Sequence, residues 1–131
     1  VAVPGPLLDE IIRYSMDCLP VEACGFLAGR EGFADRFVPA PNALASADAF
    51  SVDPAFLFRF FRGLRSGGEQ LVGIVHSHPL GPATPSQRDI REAHYREAAH
   101  LIVSLAGERP EIRAYRIAGG EAIEIELHAI V

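Results

Sequence analysis

The chain has 131 residues, no lysine and a formal net charge of −5 at pH 7. That length suits a single domain over residues 1–131 with a real core. An acidic balance with scattered arginines excludes a phosphate-neutralising nucleic-acid surface, and no run approaches the roughly 20 apolar residues of a membrane span.

In chain order, the first residues lack a basic segment followed by an apolar run, so the expected compartment is the cytoplasm. From Pro6 to Met16, Leu7, Leu8, Ile11, Ile12 and Ser15 fall on one face at three-and-four spacing, which predicts an amphipathic helix. Its proline and two acids suit a helix start. Glu22 to Gly29 is short and apolar between Pro20 and Gly29, and reads as a buried strand. Arg36 to Ala40 is the next strand, closed by Pro39 and Pro41. Residues 42–53 read as a loop. Asp53-Pro54 opens a helix to about Leu64, with Asp53 as its cap and Gly67-Gly68 as its stop. Phe56, Phe58, Phe60 and Phe61 cover more than one face of it, which leaves part of the set for a homodimer contact.

Gln70 to His78 is rich in β-branched residues and reads as a central strand. Three prolines and a glycine between Pro79 and Pro85 exclude regular structure there. A helix is predicted from Ser86 to about Ala99, and Ser86 with Asp89 forms an S-x-x-D capping pattern. Strands follow at 100–106, 111–118 and 121–128, the last two joined by Gly119-Gly120. The fold class is therefore mixed α/β, a mixed sheet with helices packed on it. The two cysteines, Cys18 and Cys24, are too few for a disulfide framework and read as packed thiols.

The chemistry concentrates in one segment. His76 and His78 lie two apart on a strand and project from the same face. The proline-rich turn lets the next helix bring Asp89 back to them. Two imidazole nitrogens and a carboxylate are a three-ligand set for Zn²⁺ with the fourth position left to water, the pattern of a catalytic site. Taken singly, Ser86 is a cap, Asp89 a helix-start charge and Glu22 a carboxylate at a strand start. The joint spacing is much harder to obtain by chance. Ser77 points to the opposite face as a supporting residue. Cys24 shares the face of Glu22, where a buried thiol is preferred over a fourth ligand. His94, His100 and His128 are assigned structural or exposed positions.

Glu22, then His76-Ser77-His78, seven residues, Ser86, two residues and Asp89 resemble at every position the JAMM motif of the MPN-plus metallopeptidases, E…H-[ST]-H-x7-S-x2-D. Glu22 to Gly29, Pro41-Asn42-Ala43 and Arg113 to Ile117 look like its small bacterial branch, which includes a peptidase that releases cysteine from a ubiquitin-like sulfur carrier. The resemblance implies a curved mixed sheet between helices, similar to cytidine deaminases. It implies zinc on His76, His78 and Asp89, Glu22 as the proton shuttle of the attacking water, and Ser86 as donor to the tetrahedral oxyanion. The implied substrate is the C-terminal tail of a ubiquitin-like sulfur-carrier protein. Removal of a ubiquitin-like modifier from lysines and a non-catalytic scaffold are the alternatives.

Other zinc enzymes of similar class fit less well. A cytidine deaminase needs H-x-E and P-C-x-x-C, and neither is present. An all-β cupin can carry an HxH metal site, but the predicted helices on both sides of the strand argue against it.

Overall fold

The computed structural model describes residues 1–131. The elements in chain order are β1 (Ala2–Pro4), α1 (Gly5–Asp17), β2 (Cys24–Arg30), β3 (Phe33–Ala40), α2 (Pro54–Gly67), β4 (Gln70–His78), α3 (Gln87–Arg91), β5 (Ala99–Ser104), β6 (Glu111–Ala118), β7 (Glu121–Ile125) and β8 (His128–Ile130). The strands form one eight-stranded sheet in the order β7-β6-β5-β4-β2-β3-β1-β8. β2 runs antiparallel to β3 and β4, while β4 and β5 run parallel through the α3 crossover. The predicted class, a mixed sheet between helices, is the one observed.

The central strands are covered on both faces, which is why β2, β4 and β5 read as nearly unbroken apolar runs. On one face α1 buries Ile11 against Leu27, Phe37, Val75, Leu101 and Val103. On the other, α2 packs Phe60 and Leu64 onto Phe26, Ala28 and Ile74. Phe26 and Phe60 stack with ring centroids 4.5 Å apart, and truncating either to alanine would cost about 3–5 kcal/mol. Of the four phenylalanines of α2, Phe58 alone is largely solvent-exposed.

A bulge in β4 sets the face that carries the chemistry. Leu27 pairs with Gly73 but Ala28 pairs with Leu71, so Val72 is the extra residue. Val72 and Val75 therefore face the α1 side, while Ile74 faces α2. His76 and His78 continue the Ile74 face.

Several boundaries differ from expectation. Asp53 precedes α2 but its side chain makes no capping hydrogen bond; Pro54 at the first helical position fixes the start instead. Gly68 ends the helix in the left-handed conformation at φ 66°, as expected of the glycine pair. α3 is one short turn rather than a helix to Ala99. Tyr95 is drawn onto Phe61 of α2 (5.5 Å) and Ala98 is buried in the α2 core, so packing overrides helical propensity after Arg91. β5 and β7 end sooner than predicted, at Ser104 and Ile125. β1 and β8 were not foreseen. They pair in parallel, Ala2 with His128 and Pro4 with Ile130, a contact between chain ends that no local pattern encodes.

Candidate metal centre

β4 delivers the two histidines at its C-terminal end. Cys24 of β2 pairs with His76, and Ala23 continues the pairing: its N–H donates to Ser77 Oγ at 2.8 Å while its carbonyl accepts from the Ser77 N–H at 3.0 Å. Ser77 is fully buried and points away from the histidines. Its hydroxyl fixes the backbone immediately after Glu22, so Glu22 arrives beside the histidines just before β2 begins.

The turn after β4 is tied down from β5 and β6. Ser104 Oγ donates to the Gly81 carbonyl at 2.7 Å, and the Tyr115 hydroxyl donates to the Ala83 carbonyl at 2.6 Å. His78 Nδ1–H donates to the Pro82 carbonyl at 2.8 Å. That bond selects the tautomer, leaving Nε2 with a lone pair for a ligand. α3 then starts with a reciprocal capping box: the Asp89 N–H donates to Ser86 Oγ at 3.0 Å, and the Ser86 N–H donates to Asp89 Oδ2 at 2.9 Å.

These supports bring three atoms together. His76 Nε2, His78 Nε2 and Asp89 Oδ2 lie 3.1 Å from one another. Tetrahedral bonds of about 2.0–2.1 Å place zinc ligands about 3.3–3.4 Å apart, so the triangle is close to the size the ion demands. Three such atoms this close repel unless protons or a cation stand between them. Glu22 Oε1 stands 3.9 Å from His76 Nε2, too far for a hydrogen bond and far enough for a water. One ligand atom from each of Glu22, His76, His78 and Asp89 falls within 4.8 Å of the others. The donor set fits a borderline metal such as zinc.

Electrostatics separates the two carboxylates. Burial lifts the Glu22 carboxyl to about 8, with the His78 charge opposing and the Asp89 charge adding. Burial also disfavours ionised Asp89, but with no ion present and the histidines protonated at Nε2, their hydrogen bonds outweigh it and hold Asp89 far below the usual carboxylate range. For His78, burial works against the imidazolium, yet the bonds to Asp89 and Pro82 raise its pKa. One acid thus remains ionised across the ordinary pH range while the other titrates at about 8.

The 42–53 loop closes one side of the centre. Asn42 organises it: Nδ2 donates to the Glu22 carbonyl at 3.0 Å and the Ala49 carbonyl at 2.9 Å, while Oδ1 accepts from Leu44 and Ser51 N–H groups. The Glu22 N–H donates to the Ser46 carbonyl at 2.8 Å, so the loop grips Glu22 from both sides. Phe50 stacks on the His76 ring at 4.9 Å. Neither Asn42 nor Phe50 was singled out as a site residue from the sequence; the Pro41-Asn42 pair was the available signal, since asparagine there marks a tightly bonded turn.

Cys24 is buried and its thiol donates to the Ala40 carbonyl at 3.4 Å, as a packed thiol rather than a ligand. His94 and His128 are exposed. His100 is buried on β5, where desolvation lowers its pKa to about 4, with the His76 charge adding to the effect.

A family model described as prokaryotic homologs of the JAB domain matches residues 4–118. The chain is 36% identical over 124 residues to a probable TtuB-protein conjugate cleaving protease from Thermus thermophilus, covering 94% of this chain and 80% of that one. It is 30% identical over an alignment of 133 positions to the CysO-cysteine peptidase of Mycobacterium tuberculosis, covering 99% and 91%. A solution structure of a protein from Desulfitobacterium hafniense superposes with a TM-score of 0.88 at 31% identity, covering 98% of this chain and 92% of the other.

Proposed function

This chain belongs to the family of prokaryotic JAB-domain homologs, and on that premise we propose that it is a zinc-dependent peptidase acting in the cytoplasm on the glycine-terminated tail of a ubiquitin-like sulfur-carrier protein or its conjugate. The observation that carries the reading is the 3.1 Å triangle of His76, His78 and Asp89 with Glu22 set one water away. The two named relatives, a conjugate-cleaving protease and a CysO-cysteine peptidase, support the substrate class.

In this reading His76 Nε2, His78 Nε2 and Asp89 Oδ2 hold the ion. Bound zinc supplies an acidified water and Lewis-acid polarisation of the scissile carbonyl. Glu22 takes a proton from the attacking water and returns it to the departing amine, which leaves poorly unless protonated. Its raised pKa suits both halves of that exchange near neutral pH. Ser86 Oγ accepts the Asp89 N–H with a lone pair, which leaves its own O–H free. That proton can donate to the oxyanion as it forms. Asn42 and Ser77 keep the Glu22 backbone in place.

The test is direct. Purified protein is incubated with a ubiquitin-like protein carrying a peptide extension after its terminal glycines, and with one linked to a lysine side chain. Mass spectrometry reads the products, with and without a chelator. Chelator-sensitive cleavage after the last glycine is expected. No cleavage by the zinc-loaded protein, or cleavage indifferent to chelation, would overturn the reading.

A further inference from the structure

Beside the metal triangle lies a cavity of about 440 Å³, within the range of sites that enclose small ligands. Its floor is Phe26, Ile74 and His100 of the sheet, one wall is Leu57 of α2, another is Phe50 and Val52 of the loop, and α3 and the segment after it form the rest. His76 and Asp89 are on its wall, so the cavity opens onto the atoms that would hold the ion.

Most of the lining surface is apolar, with Arg88 and Glu92 at its polar side, and two of its histidines carry a buried ring nitrogen without a partner, His76 Nδ1 and His100 Nε2. His100 is 6% exposed, and its buried Nε2 has no hydrogen-bond partner. Buried ring nitrogens are almost always paired, and an unpaired one is destabilising. His100 lines the cavity but the nitrogen itself is covered, so an occupant supplies the missing bond only when the ring turns toward the space.

We propose that this cavity is the specificity pocket for the leaving-group residue of the substrate, and that it takes a large apolar side chain bearing one hydrogen-bonding atom, of which tyrosine is the type. The inference rests on the peptidase reading above. There the acyl side of the bond ends in glycine, which has no side chain to fill an apolar cavity, so the occupant comes from the amine side. Apolar walls gain by burying an aromatic ring, in proportion to the surface removed from water. A very small residue gains little there, and an acidic one meets Asp89 and Glu92, with Arg88 already paired to Glu92 at 3.0 Å. The free nitrogen of His100 then separates tyrosine from phenylalanine, because a site with an unpaired polar atom penalises the analogue that leaves it unpaired.

The experiment uses a ubiquitin-like protein extended after its terminal glycines by one residue, tyrosine, phenylalanine, glycine or aspartate. kcat/KM is measured with zinc-loaded protein, and Kd by calorimetry with metal-free protein, so binding is read independently of turnover. Tyrosine is expected to exceed glycine and aspartate by about tenfold or more in both, with phenylalanine between. Val52→Trp should fill the cavity and remove the preference. His100→Leu should bring tyrosine level with phenylalanine. Equal cleavage and equal binding of all four would overturn the pocket and leave the peptidase reading intact. No cleavage of any, with the binding order retained, would overturn the peptidase reading and leave the pocket. A preference for aspartate or glycine, or one set only by the residue before the bond, would also overturn the pocket.

Discussion

The Asp89 carboxylate oxygen that accepts the Ser86 backbone N–H at 2.9 Å is the same Oδ2 that stands 3.1 Å from both histidine nitrogens. The cap of α3 and the proposed ligand are one atom. Ser86 returns the bond by accepting the Asp89 N–H, so the helix start orients the carboxylate before any ion arrives.

Ser86→Ala should therefore show two separable effects. Loss of the cap should cost about 1 kcal/mol in denaturant unfolding. Loss of the oxyanion donor should lower kcat about 10²-fold or more with zinc content unchanged. Unchanged turnover would remove Ser86 from the chemistry.

Glu22→Gln keeps the shape of the side chain and removes the base. Zinc stoichiometry should stay at the wild-type value while kcat falls about 10²–10⁴-fold. Wild-type turnover in this variant would refute the shuttle assignment.

Asn42→Ala should uncouple the loop from Glu22. Four hydrogen bonds to the Glu22, Ala49, Leu44 and Ser51 backbone disappear. We expect a loss of about 2–3 kcal/mol in stability. kcat should fall by more than metal affinity does, because none of the ligands moves. Equal losses in both would show that the loop supports the whole centre rather than Glu22.

The metal-free protein should have an unusual pH profile. Glu22 has a native pKa of about 8 against an ordinary 4.5, so between those values the native state holds more protons than the unfolded chain. Stability then falls as pH rises through that window, by a few kcal/mol at most. His78, raised above 6.5, acts in the same direction, while His100, lowered to about 4, opposes both between that value and 6.5 and offsets part of the fall. Asp89, lowered below 3.8, contributes stability that is lost only as the medium turns more acidic than that. Chelator-treated protein should be more stable in denaturant at pH 5 than at pH 8, and Glu22→Gln should flatten the slope. Metal binding needs deprotonated ligands, so added zinc should stabilise more at pH 8 than at pH 5. Apo stability rising from pH 5 to 8 would contradict the burial of a protonated Glu22.

Much of this was legible in the sequence because it is local. The period-two spacing of His76 and His78 put them on one face, and the S-x-x-D pattern set the Ser86–Asp89 box. β4 was bounded correctly because a β-branched run stands between Gly67-Gly68 and the prolines. What sequence reading missed is non-local. The β1–β8 pair joins the chain ends, α3 is cut short by the docking of Tyr95 on α2, and Phe50 meets His76 only through the folded loop. His100 read as a bystander because nothing in its neighbourhood along the chain marks it. Its place beside the centre comes from the β4–β5 register, Ile74 with His100.

X-ray absorption at the zinc edge, with elemental analysis of the same sample, reads the ligand shell of the centre directly. One zinc per chain is expected, bound by two imidazole nitrogens at about 2.0–2.1 Å and otherwise by light oxygen donors, with no sulfur. A chain purified with zinc available but holding none, or an ion ligated by the Cys24 sulfur, would contradict the account.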